Sequence, residues 1–402
     1  MNERAAGKET SRNVYAFGAT SLLNDTASEM AYWILPAFLV SIGAGPATLG
    51  IIEGIAESVA SFAKLISGYL TDRIARRKPV VVFGYTVANV LKPVLAIATA
   101  WWQVLLIRFG DRLAKGLRGA PRDVMLAESV ERSRLGGAYG LLQAMDSAGA
   151  IVGPSIALLV LAHHGLRTVF WIASIPGLAS IIVVSLFARE TQRASRWEVG
   201  TRDQAAIPKV SNPRLPRMYY YVLFAVALFS LGNSSDMFLV LRAQEAGIPA
   251  SHAPLLGLVF NATYTAFSWP AGRLSDRVSK YALVAAGYAV FTVVYLVFAL
   301  APSRAALWGM MALYGLYYAL TAPVLKALVA DNAPPESRGR AFGIFYFVSS
   351  VAALLSSVTT GELWRRWGGR LPLLISAALA GFAVVLLFAA PHMKRQSLNA
   401  DG

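Results

Sequence analysis

Runs of about 20 mostly apolar residues, broken by short polar or basic stretches, recur along the whole chain. A helix rising about 1.5 Å per residue needs that many residues to cross a hydrocarbon core about 30 Å thick. The pattern predicts spans near residues 14–40, 47–70, 79–99, 101–119, 136–161 and 167–188, then 217–241, 252–274, 281–300, 305–329, 340–362 and 371–390. That makes twelve transmembrane helices in two sets of six, an all-α integral membrane protein. The fourth span is the least apolar: Trp101 to Gly110 is followed by Asp111, Arg112, Lys115 and Arg118. Its counterpart in the second set, Leu307 to Ala330, reads clearly as a span and supports the assignment.

Cations set the orientation. One set of helix ends carries Arg4, Lys8 and Arg12, then Arg73, Arg76, Arg77 and Lys78, then Arg132 and Arg134, and most of the basic residues after Phe187. The opposite ends hold Arg167, Arg242, Arg304, Arg365, Arg366 and Arg370. The richer set marks the cytoplasmic side, so both termini are expected there, in a multi-pass protein of a prokaryotic inner membrane. Residues 189–216 mix charges with Pro208, Pro213 and Pro216 and lack a clear apolar face. They are expected to be a cytoplasmic tether between a bundle over 1–188 and a second over 217–402. Such paired bundles place a substrate site between them near the membrane midplane.

Composition agrees with the span pattern. Hydrophobic residues make up 56% and charged residues 15% of the 402-residue chain, with mean hydropathy +0.52. The net charge of +15 is accounted for by short basic loops, and no nucleic-acid partner is implied. There is no cysteine, so disulfides and thiolate metal sites are excluded. No nucleophile–base constellation, metal-ligand cluster of His and Cys, or Gly-x-x-x-x-Gly-Lys-[Ser/Thr] phosphate loop occurs. An enzyme, an ATP-driven pump, a resident metal and a cofactor are therefore not expected.

The stretch Gly68-Tyr-Leu-Thr-Asp72-Arg73-Ile-Ala-Arg76-Arg77-Lys78 joins the second and third spans. About half a chain later Gly272-Arg-Leu-Ser-Asp276-Arg277 joins the eighth and ninth. Glycine allows close backbone approach, and aspartate suits a neighbouring helix N-terminus. Gly-x-x-x-Asp-Arg-x-x-Arg-Arg resembles motif A of the major facilitator superfamily, with Ala75 where that family usually has glycine. The resemblance implies two pseudo-symmetric six-helix bundles. It also implies a conformational latch at Gly68, Asp72, Arg73, Arg76, Arg77, Gly272, Asp276 and Arg277.

Two further signatures are similar to that family. Arg112-Leu-Ala-Lys-Gly116 resembles its helix 4 arginine motif, with Lys115 replacing the usual glutamine; a buried arginine there is implicated in proton transfer. Gly140, Gly149 and Gly153-Pro154 resemble motif C, typical of antiport exporters, without its closing glycine pair. Gly149 and Gly153 are also a small-xxx-small pair that permits close helix contact.

Ionisable groups at membrane depth need a partner or a task. Helix 1 carries Asn24, Asp25 and Glu29; helix 2 carries Glu53, Glu57 and Lys64; helix 3 Lys92; helix 4 the Arg108 to Arg118 stripe; helix 5 Asp146. The second half holds Asp236 and Lys326 with Asn233, Asn261, Tyr264, Tyr314, Tyr317, Tyr318 and Tyr346. The first half is expected to handle protons and the second to offer an aromatic wall to substrate. The candidate coupling and substrate residues are Asp25, Glu29, Glu57, Arg112, Asp146, Asn24, Asn233, Asp236, Tyr264 and Tyr317. Asp25 lies near mid-depth, with Arg112 the expected cation beside it. The expected function is export of a small amphipathic molecule by proton antiport and alternating access, by a monomer in contact with lipid. Alternatives are an exporter of a divalent metal, metal chelate or organic anion, or a membrane sensor or scaffold that moves nothing.

Overall fold

The computed structural model describes residues 3–44, 46–191, 214–249, 253–300 and 303–400. These residues form helices and contain no strand. In chain order the long helices are α1 (Glu3–Ser41), α2 (Pro46–Arg73), α3 (Lys78–Val94), α4 (Trp101–Glu128), α5 (Leu135–Leu161) and α6 (Leu166–Phe187). There follow α7 (Arg217–Gly232), α8 (Met237–Glu245), α9 (Ala253–Ser275), α10 (Lys280–Leu300), α11 (Arg304–Asn332), α12 (Arg338–Trp367) and α13 (Arg370–Ala400). Each predicted span is occupied by helix, with one departure. The seventh is split into α7 and α8, with Asn233–Asp236 outside both. The fourth continues past its predicted end to Glu128. Its charged second half is helical because Ala114, Val124 and Met125 continue the buried face begun by Val104 and Ile107. Of the expected tether, 192–213 lies outside the described residues.

Eight helical stretches among the described residues are long and apolar enough to cross a membrane. Those over α1, α2, α4 and α9 are not among them. Three of these four carry the acidic and basic residues singled out above, and α9 carries Asn261, Thr263, Tyr264, Thr265 and Ser268. Chemistry lowers their hydropathy. On α6, by contrast, Trp171, Ile175, Leu178, Ile182 and Leu186 all face outward, a continuous apolar surface suited to lipid rather than water.

The chain falls into two compact units. Unit 1 comprises Met1–Arg132, Met145–Pro213 and Pro335–Ile344; unit 2 comprises Ser133–Ala144, Arg214–Pro334 and Phe345–Gly402. The opening turns of α12 therefore belong to unit 1, and those of α5 to unit 2. Within unit 1, α2 packs on α4, α3 on α4 and α6, and α1 on α6. Within unit 2 the same scheme returns: α9 on α11, α10 on α11 and α13, and α7 on α13. The repeat extends to helix ends. Gly43 after α1 and Gly247 after α8 both take positive φ, 81° and 91°, a left-handed helix ending that glycine adopts without Cβ strain. Their spacing equals that between Gly68 and Gly272. Unit 1 closes over an apolar core in which Phe38 meets Phe170 edge to face, ring centroids 5.0 Å apart.

Candidate functional site

In unit 1 the packing of α5 on α1 creates the main polar site. A Cβ on Gly149 would lie 2.7 Å from the Leu22 carbonyl oxygen and 3.0 Å from Asp25 Cβ. One on Gly153 would lie 2.6 Å from the Thr26 oxygen and 2.9 Å from Glu29 Cβ. Both distances are too short for any side chain, so the two glycines let α5 ride directly on the face of α1 that carries Asp25 and Glu29. Pro154 continues that helix within α5. The consequence is that Asp146, three residues before Gly149, brings its carboxyl into hydrogen-bonding contact with that of Asp25.

A relay of side chains leads away from the pair. Asn24 Nδ2 donates to Asp25 Oδ1 at 2.9 Å, and Asn89 Nδ2 donates to Asn24 Oδ1 at 3.1 Å. Lys92 Nζ donates to Asn89 Oδ1 at 2.5 Å, and Asn89 also reaches Ser180 Oγ at 3.0 Å. Asn24, Asn89 and Lys92 are all buried. Lys92 in turn faces Asp111 and Arg118. Asp111 lies among Lys92, Arg112, Arg108 and Arg118, with the Arg108 guanidinium at 3.6 Å. Arg118 stacks over Tyr85, 4.1 Å from the ring centroid, and donates to the Gly84 carbonyl. The cation acting most strongly on Asp25 is Lys115. Arg112, expected beside Asp25, also bears on Asp111. Residues a turn apart on one helix can face different neighbours, and sequence spacing does not choose between them. The side chains of Glu53 and Glu57 lie outside the described residues. Asn89 was not anticipated; its position one turn before Lys92 on a shared face was the available signal.

Unit 2 holds a second polar centre of different character. Asp236 Oδ1 accepts from Tyr314 OH at 2.7 Å and from Tyr318 OH at 3.4 Å. Asn233 Nδ2 donates to Tyr317 OH at 3.4 Å. Tyr264 and Tyr317 are buried by ring packing, Tyr264 against Phe260 and Tyr318, and Tyr317 against Phe229 and Phe291. Lys326 Nζ donates to Gln143 Oε1 at 3.3 Å.

The repeated loop motif makes equivalent contacts in both units. In unit 1, Asp72 Oδ1 accepts the Gly339 N–H at 2.7 Å and Oδ2 the Arg340 N–H at 2.8 Å. In unit 2, Asp276 Oδ1 accepts the Gly136 N–H at 2.7 Å and Oδ2 the Gly137 N–H at 2.8 Å. Each carboxylate satisfies N–H groups that the first turn of a helix leaves without partners. Glycine makes the approach possible. A Cβ on Gly68 would sit 2.6 Å from both the Gly339 oxygen and Gly343 Cα, and one on Gly272 would sit 2.8 Å from Gly140 Cα. Burial raises the Asp276 carboxyl above the usual carboxylate range, and the N–H groups of Gly137 and Gly136 oppose that.

The basic residues of the motif divide. Arg73, Arg76 and Arg277 are exposed. Arg77 is 1% exposed, pairs with Glu128 at 2.6 Å and donates to the Thr71 carbonyl at 3.1 Å. Glu190 accepts the backbone N–H groups of Arg77 at 3.1 Å and Lys78 at 3.0 Å, capping α3. The first residues of the expected tether are thus docked onto the bundle. Glu128 and Glu190 were not anticipated, because the contacts span 51 and 113 positions.

Similarity to known proteins agrees with this arrangement. The sequence matches the Major Facilitator Superfamily description over residues 17–245 and 222–401. It is 34% identical to an uncharacterized MFS-type transporter of Methanocaldococcus jannaschii, over 89% of this chain and 90% of that one. It is 23% identical to the multi-drug resistance efflux pump PmrA of Streptococcus pneumoniae, over 82% and 84%. The human organic anion transporter MFSD10 has a similar structure, with TM-score 0.76 at 17% identity, covering 94% of this chain and 99% of that one. Twelve spans, two internally repeated units and a loop motif repeated with its contacts have one common explanation: this chain is a membrane transporter, not an enzyme, and belongs to the major facilitator superfamily.

Proposed function

We propose that the protein exports a small amphipathic molecule across the inner membrane by proton antiport and alternating access. The observation that carries this reading is the contact between Asp25 and Asp146, with Lys115 facing it. Two carboxyl groups in contact favour holding a proton between them. An approaching cation, whether Lys115 or a charged substrate, competes with that proton, and the competition is what antiport requires. The chain Asn24–Asn89–Lys92 extends from the pair toward Asp111. Its polar groups give an occupied or vacated charge at Asp25 a route to influence the basic residues of α4. The Asp72 and Asp276 contacts act as latches, binding helix starts in one state and releasing them in the other. The two bundles are assigned to 1–188 and 217–402, with 189–216 joining them on the cytoplasmic side and the chain acting as a monomer. The efflux function of PmrA supports the direction.

The test is transport in proteoliposomes with an imposed pH gradient. Asp25→Asn keeps the size of the side chain and removes its titration. Uphill transport should collapse while substrate binding persists with weaker pH dependence. Wild-type rates of uphill transport in this variant would remove Asp25 from the coupling site. An organic anion is the second substrate reading, because among the described side chains the cations Lys92, Arg108, Arg112, Lys115 and Arg118 outnumber the carboxylates Asp25, Glu29, Asp111 and Asp146 around this site. Saturable uptake of an anionic dye into inverted vesicles separates the two.

A further inference from the structure

The break between α7 and α8 holds a carboxylate whose neighbours are oxygens. Tyr314 and Tyr318 both donate to Asp236 Oδ1, and no described residue donates to its other oxygen. Among the described residues no cation pairs with it. Although Asp236 immediately precedes α8, its side chain does not cap that helix. Capping is the usual task of an aspartate at this place, and here it is left undone.

Further buried oxygens flank the same break. Ser234 Oγ and Tyr295 OH meet each other and Tyr314, and Asn233 Oδ1 is buried without a hydrogen-bond partner among the described residues. Ser234 is 3% exposed and Tyr295 0%. The Tyr295 hydroxyl lies beside Ser234 and Tyr314 and within electrostatic reach of Asp236. Each buried polar atom left unpaired is costly, and a half-buried carboxylate without a cation adds to that cost. A ligand that accepts several lone pairs, and carries one positive charge, resolves all of these at once.

We propose that the α7–α8 break binds a single dehydrated sodium ion, held by the Asp236 carboxylate with Ser234, Asn233 and tyrosine hydroxyl oxygens around it. An all-oxygen set selects a hard cation. One carboxylate balances one charge, and no group of three His, Cys, Asp or Glu suited to a divalent metal occurs among the described residues. An organic ammonium is too large: Tyr295 and Tyr314 are fully buried, and their rings are packed against Phe291 and Phe260. Interrupted helices are where transporters place such ions, because the break frees backbone groups. At about 1.5 Å per residue the site is about 28 Å along the span from Arg217, close to the opposite membrane face and within reach of sodium from that side. This site is separate from the Asp25–Asp146 pair and stands whether or not that pair couples protons.

Purified protein in detergent at neutral pH, titrated with radioactive sodium chloride at constant ionic strength in choline chloride, tests the proposal. Saturable binding of one sodium per chain is expected, displaced by lithium and not by potassium. Asp236→Asn should weaken it at least tenfold. Tyr314→Phe, which keeps the charge, and Ser234→Ala should weaken it less, so a folding defect in one variant does not leave the question open. Absence of saturable binding in the wild type, or unchanged affinity in Asp236→Asn, overturns the proposal. Because the readout is binding alone, failure of the proton-antiport reading leaves it unaffected.

Discussion

Replacing Asp72 by asparagine should loosen the contact between the end of α2 and the start of α12 by a calculable amount. The carboxylate is 7% exposed and takes two N–H groups at 2.7 and 2.8 Å. Asparagine keeps one carbonyl oxygen and turns an amide donor toward the second N–H. One hydrogen bond to a charged acceptor, worth about 1.5–3 kcal/mol, is lost. The interaction of a negative charge with a helix N-terminus, about 0.3–1 kcal/mol, is lost as well. The sum, about 2–4 kcal/mol, corresponds to a shift of roughly 30- to 900-fold in the equilibrium between closed and released contact. The absence of cysteine makes the assay clean. Ala341, in the first turn of α12, is 0% exposed, so Ala341→Cys should react slowly with a maleimide. In the Asp72→Asn background its labelling rate should rise by that factor when reaction is limited by a pre-equilibrium opening. Equal rates with and without Asp72→Asn would refute the idea that this carboxylate holds the helix start in place.

Arg77→Ala removes one partner of a buried ion pair and leaves Glu128 without its guanidinium, which should cost about 3–5 kcal/mol. Thermal unfolding in detergent should show a large drop in Tm, and an unchanged Tm would mean that water replaces the arginine at no cost. Asp276 gives a pH-dependent expectation. Its carboxyl is raised by burial, against the opposing effects of Gly137, Gly136, Lys280 and Arg273. The folded protein therefore holds that proton more tightly than the unfolded chain does. The resulting stability is present below the ordinary carboxylate range and lost as pH rises through the raised value. The Tm of the wild type relative to Asp276→Asn should thus improve on acidification, and a difference independent of pH would contradict this.

The two polar centres also differ in kind, and the difference follows from what surrounds them. Asp25 and Asp146 lie among cations on α3 and α4, so charge there can be exchanged between many groups. Among the described residues the hydrogen-bond partners of Asp236 are the neutral hydroxyls of Tyr314 and Tyr318. It can be balanced by an added positive charge, and rearrangement of existing ones does not serve it. A carboxylate in each unit thus meets the same burial cost by a different route.

Much of the architecture was legible in the residues. Span length follows from membrane thickness, so hydropathy places most of the helices, and the recurrence of Gly68–Asp72 at Gly272–Asp276 reveals the repeat that supports the others. The same one-dimensional rule blurs where chemistry interrupts it, as in α4. It also misses the break at Asn233–Asp236, because those four polar residues are too few to lower the average over a whole span. Pairings across the fold were not legible. That Asp25 meets Asp146, that Lys115 bears on Asp25, and that Glu190 caps α3 each depend on which faces of separate helices are turned together. Those rotations are set by glycines such as Gly149 and Gly153, whose missing side chains allow contact at one angle only. Sequence fixes which groups must be buried within the membrane; packing decides which of them become partners, because a buried charge takes the neighbour that the helix contacts bring within reach.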